Sequence, residues 1–408
     1  MKYIITLLFF SMSLLYSQSS WHVQESNTLI DLYGVSFINE NTGIIVGTNN
    51  VVLKTYNGGI NWIKLDSLPY IWLNCIKYID VNNAIACSRQ GGVYKSTNGG
   101  LNWHIIFEIE NFTNRISYVS GIIFILSAND GTLYKSTDLG VTFSVLNSNV
   151  HMQCAFFVDQ NIGYMAGSWI TGIGHYQGQV KRTTNSGLNW TIVYDSPVFI
   201  DVVFNSSMYF INQSTGFLSG YVGIYKTTNN GNNLNGVSGG MILNLEFIGN
   251  EIGFATGYPT IIKTDNGGVN WVTSYNSGNK TINSSCFVNT QTGWAVGSQG
   301  LILKTTNGGL TFINSTGGNI PDNYSLSQNY PNPFNPVTNI KFDIPKSGLV
   351  KITVYDLLGR EVTSLVNQQM QPGSYSVDWD ASNYPSGVYF YRIETETFTD
   401  SKKMILLK

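Results

Sequence analysis

Thr55-Tyr56-Asn57-Gly58-Gly59-Ile60-Asn61-Trp62 is one of seven copies of a single phrase in this chain. The phrase runs Ser or Thr, any residue, Asn or Asp, any residue, Gly, two more residues, then an aromatic. The other copies occupy 96–103, 136–143, 183–190, 227–234, 264–271 and 305–312. Their last residues lie 41, 40, 47, 44, 37 and 41 positions apart. A period near 40, filled with strand-like sequence, predicts a β-propeller with one repeat per blade. Seven complete copies predict seven blades.

The stretch around the second copy shows the whole unit. Strands are predicted over 73–79, 84–88, 93–97 and 103–107, separated by Gly, Asn and Asp turns. Landmarks recur in step with the phrase. A first-strand aromatic or Val stands at Phe37, Tyr78, Val119, Phe157, Phe210, Phe247 and Phe287. A small residue follows six positions later at Gly43, Ala84, Gly163, Gly216, Gly253 and Gly293. A cation precedes the phrase at Lys54, Lys95, Lys135, Arg182, Lys226, Lys263 and Lys304. Trp21 stands as far before Phe37 as Trp62 does before Tyr78, so its segment reads as a fourth strand without a blade. It is expected to close the ring. The strand at Phe312 competes for that place, and the sequence leaves both open.

The phrase has a mechanical explanation. Asn or Asp can bond backbone two residues on, Gly supplies a positive φ, and the aromatic wedges between blades. We therefore expect structural turns at Asn57, Gly59 and Trp62; at Asn98, Gly100 and Trp103; and at Asp138 and Gly140. The same role is expected of Asn185, Gly187 and Trp190; of Asn266, Gly268 and Trp271; and of Asn307 and Gly309. Calcium binding is disfavoured, because each turn offers too few carboxylates. Leu139 and Leu234 depart from the pattern, and their blades are expected to be looser.

The phrase resembles the Asp-box (BNR-type) of sialidases, sortilin-type propellers and xyloglucan hydrolases. Its longer form, Lys-Thr-x-Asn-Gly-Gly-x-x-Trp, resembles the repeats of the photosystem II assembly factor family. The resemblance covers roughly residues 21 to 316. It implies a scaffold, since one fold hosts many activities.

Composition bounds the rest. Of 408 residues only 11% are charged, while Gly numbers 42, Tyr 24 and Phe 21, which suits short strands and tight turns. The net charge of −2 gives no bulk attraction to nucleic acid. Lys2, the apolar run 3–15 and the small or polar residues 16–20 read as an export signal over 1–17. No apolar run reaches the length of a transmembrane span. Cys75 and Cys87 fall on neighbouring predicted strands and could pair; Cys154 and Cys286 are expected to be free. No Cys/His cluster suggests a metal, and no cofactor is expected.

After Phe312 the composition changes. The domain plan is a propeller over 18–316, a linker over 317–328 and a small antiparallel, immunoglobulin-like β-sandwich over 329–408. Asn-Tyr-Pro-Asn-Pro-Phe-Asn-Pro at 329–336 is followed in order by Val354 to Val362, Trp379-Asp380-Ala381, Ser386 to Arg392 and Lys402-Lys403-Met404. This succession resembles the type A C-terminal sorting domain of the type IX (Por) secretion system. It implies a protein that reaches the periplasm by its signal peptide and crosses the outer membrane through the type IX machinery. The product is released or attached to surface lipopolysaccharide.

Propellers usually bind on the face opposite the phrase turns. Two connections there are long: 168–180 in blade four, and 190–210 leading into blade five. Trp169, His175, Tyr176, Asp195 and Asp201 are the candidate ligand-binding residues on them. Tyr70, Trp72, Tyr221 and Tyr258 fall on the same face. The expected function is an exported, non-enzymatic module for an extracellular protein or glycan. The alternative is a secreted glycoside hydrolase, which needs two facing carboxylates. Asp66, Glu108, Asp130, Asp195 and Asp201 are on plausible loops, but no motif singles out a catalytic pair. A sialidase would need an arginine cluster, and Arg89, Arg115 and Arg182 are the only propeller arginines.

Overall fold

The computed structural model describes residues 21–65, 71–109, 113–127, 130–148, 151–172, 175–196, 206–309, 313–315, 320–370, 372–381 and 384–408. The signal segment, Asp66, Tyr70, Asp201 and Phe312 lie outside these. Seven four-stranded antiparallel sheets form the ring. Blade one consists of Leu32–Phe37, Gly43–Gly47, Val52–Thr55 and Ile63–Lys64, from channel to rim. Blades two to six repeat this order. Blade seven takes its first three strands from Ile282–Phe287, Gly293–Gly297 and Ile302–Thr305 and its outermost from His22–Gln24, with His22 opposite Lys304. The Trp21 segment therefore closes the ring. Trp21 is buried, donates from its indole to Ser274 Oγ at 2.9 Å and meets the Phe287 ring edge-on at 5.7 Å. The other contender, Ile313–Ser315, pairs instead with Gly373–Asp380 of the C-terminal domain.

Each phrase folds into the same turn. The Thr55 hydroxyl accepts the Gly59 N–H at 2.9 Å and donates to Asn57 Oδ1 at 3.0 Å, while Asn57 Oδ1 accepts the Asn61 N–H at 3.0 Å. The Ser/Thr-to-Gly bond recurs at Gly100, Gly140, Gly187, Gly231, Gly268 and Gly309. Two successive residues take positive φ, as Gly58 and Gly59 do. Leu139 holds the first of these positions at φ 56. Its turn is nonetheless fully bonded, because Asp138 accepts both the Thr142 N–H at 2.9 Å and the Thr142 hydroxyl at 2.6 Å. Those bonds hold the Asp138 carboxyl well below the usual carboxylate range. In blade five Leu234 packs against the Cys154–Tyr164–Leu218 core cluster, so an aliphatic side chain fills the aromatic's place.

The landmarks meet at the joints between blades. Phe37 stacks on Trp294 of blade seven at 3.5 Å, Phe157 on Phe124 at 3.5 Å and Phe210 on Tyr164 at 3.7 Å. Phe247 on Phe217 and Phe287 on Phe254 repeat the contact at 4.5 and 3.8 Å. Trp62, Trp190 and Trp271 approach these stacks edge-on. The small residue six positions on is the floor under the ring: a Cβ on Gly253 would fall 2.5 Å from Phe247 Cε1. The cations reach across the joint. Lys54 donates to Gly99 O at 2.6 Å, Lys95 to Leu139 O at 2.7 Å, Lys135 to Ser186 Oγ at 2.6 Å and Lys226 to Gly267 O at 2.6 Å. Each thus fastens the phrase turn of the next blade.

The C-terminal domain is a sandwich of two four-stranded sheets. One runs Ile313–Ser315, Gly373–Asp380, Val337–Ile344, Ser325–Leu326; the other Glu361–Met370, Gly348–Tyr355, Gly387–Glu394, Thr399–Leu406. Ile340, Phe342, Ile352, Val377, Trp379 and Tyr391 lie in its core. The proline-rich segment is bonded into the last strand: the Phe334 N–H donates to Ile405 O and its carbonyl accepts the Leu407 N–H, both at 2.9 Å. Asn329 is buried, taking its N–H to Tyr391 Oη and its amide to Thr338 Oγ1. Cys75 and Cys87 are register partners but form no disulfide, and Cys154 and Cys286 are likewise not in disulfides.

Gly253→Ala should destabilise the propeller by about 2 kcal/mol, the usual cost of overpacking a core. Chemical denaturation would measure it, and an unchanged midpoint would contradict the ring-floor role.

Candidate functional site

The seven first strands surround an axial cavity of about 740 Å³. Thr48, Arg89 and Tyr221, in turns between second and third strands, line it together with Tyr33 and Trp72. The cavity therefore opens on the face opposite the phrase turns. Those turns sit against the first-to-second turns of their own blades, as when the Gly58 N–H donates to Asn41 O at 2.8 Å. Near the mouth the first strands slip register by one residue in blades one, two, three, six and seven. A bulge re-aims a side chain. Tyr33, Asn74, Leu243 and Asn283 stand at such slips and all line the cavity.

Inside, the walls differ. Tyr118, Phe156 and Tyr209 come from blades three to five, with the Phe156 and Tyr209 rings 4.9 Å apart. Lys77, Glu246 and Cys286 come from blades two, six and seven. Glu246 accepts the Phe287 N–H at 3.1 Å and the Ser285 hydroxyl at 3.3 Å. Burial raises its pKa to about 7, against the lowering effects of the Phe287 N–H, Lys77 and Ser285. Burial, then the Glu246 charge, push the Cys286 thiol up to about 12. Arg115 crosses from blade three to the far side. Its Nε donates to Ser206 O at 2.9 Å, one terminal nitrogen to Asn244 Oδ1 at 3.1 Å and the other to Leu243 O at 2.6 Å. At the mouth the Arg89 guanidinium lies over the Trp72 ring at 5.8 Å. Trp72 is held on both sides, its carbonyl by the Arg89 N–H and its own N–H by Gln90 Oε1.

The expected loop at 168–180 is a hairpin. Gly163–Gly172 and His175–Thr183 pair through Trp169↔Gln177 and Ile170↔Tyr176. Its aromatic and β-branched residues favour extension of the blade over an open loop. Trp169 stacks on His151 at 5.2 Å. Asp195 is on the outermost strand of blade four and accepts the Gln177 amide at 2.8 Å, so Trp169 and Asp195 gather around Gln177. Neither lines the central cavity. The side chains of His175 and Tyr176 lie outside the described residues. Tyr258 is exposed and outside the cavity lining, whereas Trp72 and Tyr221 line its mouth.

Glu108 sits exposed on an outer strand, and Asp130 caps the Thr132 N–H at 3.0 Å. Among the described residues Glu246 is the one carboxylate lining the cavity. No group of three or more His, Cys, Asp or Glu could hold a metal among them. Sequence reasoning passed over Glu246 and Lys77. The signal was available: both stand immediately before a first-strand landmark, Phe247 and Tyr78, where Ser36 and Cys286 stand in blades one and seven.

An acid whose pKa is raised by folding stabilises the fold below its unfolded pKa and loses that contribution as pH rises through the folded value. Stability should therefore fall from about pH 4.5 to about pH 7, by at most on the order of 3 kcal/mol. Glu246→Gln keeps an acceptor for the Phe287 N–H and should flatten that slope. Thermal melts of both proteins across this window are the check; parallel curves would refute the assignment.

Among solved structures the fold is similar to YCF48 bound to D1 peptide, with TM-score 0.58, 15% identity and coverage of 72% of this chain and 98% of that one. YCF48 from Cyanidioschyzon merolae gives TM-score 0.55 at 16% identity, covering 70% and 98%. The extracellular domain of the hybrid two-component system BT4673 from B. thetaiotaomicron gives 0.55 at 10% identity, covering 96% of this chain and 60% of that one. These likenesses establish the fold. No curated protein sequence matches the chain. No helix among the described residues is long and apolar enough to cross a membrane. Residues 328–407 match the secretion system C-terminal sorting domain, so the chain carries the signal for type IX export, to the cell surface or into the medium.

Proposed function

We propose that this protein is an exported, non-enzymatic binding module that seats an extracellular protein or glycan on the channel mouth. The observation that carries this reading is the cavity itself. It opens on the face free of phrase turns, it is rimmed by Tyr33, Trp72 and Tyr221, and it contains a single carboxylate among the described residues. Aromatic faces with a cation stacked on one ring suit sugar rings and extended peptides. A hydrolase acting through two carboxylates would need a partner for Glu246 across the channel. The blade-four hairpin, with Trp169 and Asp195 around Gln177, widens the same face. We assign its His175 and Tyr176, and Asp201 on the following connection, to secondary contacts with the same ligand.

The sorting domain acts as an address for the type IX machinery. Once outside, the propeller is released or held on surface lipopolysaccharide. Deleting residues 323–408 should leave the propeller in the periplasm. Cell fractionation reads the outcome, and unchanged export would defeat the address role.

For the binding role, a glycan array and a random-peptide display probe the mouth directly. Trp72→Ala and Tyr221→Ala should each weaken the captured ligand roughly tenfold or more, as central aromatic contacts do. Full affinity in both variants would place the ligand elsewhere.

A further inference from the structure

The interior of the channel has a property that binding at the mouth does not use. Arg115 places its guanidinium inside the ring, and every partner it has there is a neutral oxygen: Ser206 O, Leu243 O and Asn244 Oδ1. Among the described residues no carboxylate pairs with it. Lys77 and Glu246 lie close enough for each other's charge to be felt, so they offset one another. Among the described residues Arg115 has no such counter-charge. A guanidinium carries five N–H donors, and three are used. An enclosed cation of this kind is costly unless an anion completes it.

Three further features show what the anion would be attached to. The cavity, about 740 Å³, is the size of a small-molecule site. Tyr118 and Tyr209 line the same cavity from blades three and five, the blades that supply Arg115 and its partner Ser206. Phe156 completes this aromatic set. The mouth, between Trp72 and Tyr221, connects it to solvent.

We propose that the channel binds a small carboxylate with an apolar body, its carboxylate on Arg115 and its body against Tyr118, Phe156 and Tyr209. The site lies inside the ring and is independent of what polymer seats on the mouth. Two spare N–H groups suit a carboxylate, and the planar fork favours it over a point charge. Asn244 supplies specificity by leaving the cation unneutralised. An aspartate there would satisfy Arg115 from within.

The test is calorimetric titration of the full chain with phenylbutyrate and with its neutral analogue phenylbutyramide. The acid should bind and the amide should bind at least tenfold more weakly. This contrast needs no variant, so misfolding cannot obscure it. Asn244→Asp should then reduce phenylbutyrate affinity at least tenfold while its melting temperature stays at or above that of the parent chain. Arg115→Lys should weaken the acid and leave any residual amide binding unchanged. Equal binding of acid and amide, binding of neither, or full acid affinity in Asn244→Asp overturns the proposal. Failure here leaves the reading of the mouth standing, because polymer capture and its loss in Trp72→Ala are scored separately.

Discussion

The ring depends on one repeated joint. A first-strand aromatic lies flat on a second-strand aromatic of the preceding blade, as Phe157 does on Phe124, and a glycine under the ring leaves room for it. The preceding blade's cation lies over the same stack, Lys135 over Phe124 at 5.7 Å, and bonds the next phrase turn. Stacking adds roughly 0.5–1.5 kcal/mol per pair beyond area burial. Repeated around a closed ring, it fixes the angle between neighbouring sheets, which few backbone bonds such as Ile242 N–H to Gly220 O join directly. Where the second strand offers Ile44 or Ile85 instead of an aromatic, the cation bond persists at Lys54 and Lys95. The joint therefore has two parts, and the polar part does not need the aromatic one.

That division explains what was legible in the sequence. The phrase, the aromatic, the glycine and the cation are all local signals with fixed spacing, and each has one mechanical job. The blade count followed from them, and the sorting domain from a separate set of ordered motifs between Asn329 and Met404. Ring closure was harder, because Trp21 and Phe312 carry the same local pattern. Their difference is a long-range choice: Ile313–Ser315 finds a better edge on Gly373–Asp380 of the second domain. The cation was visible as a landmark, but its partner one blade away was not.

The candidate site was less legible for a related reason. The channel is assembled from one strand of every blade, so its residues are scattered across the chain from Tyr33 to Cys286. No spacing rule links Arg115 to Ser206 and Leu243. Attention to long connections led instead to 168–180, which pairs as strand and gathers Trp169 and Asp195 away from the channel. Glu246 illustrates the double duty of such positions. It satisfies a backbone N–H of the neighbouring blade and is also the one carboxylate lining the cavity among the described residues.

The closing strand has a kinetic meaning. His22–Gln24 must wait for Lys304 and its neighbours, almost the entire ring away along the chain. Contacts so distant in sequence form late and slowly. Until they form, Ile302–Thr305 is an unguarded sheet edge and Trp21 has no socket. A chain destined for export thus leaves synthesis with its beginning unpaired. The ring remains open until Ile302–Thr305 is made, and it locks only when that strand meets His22–Gln24.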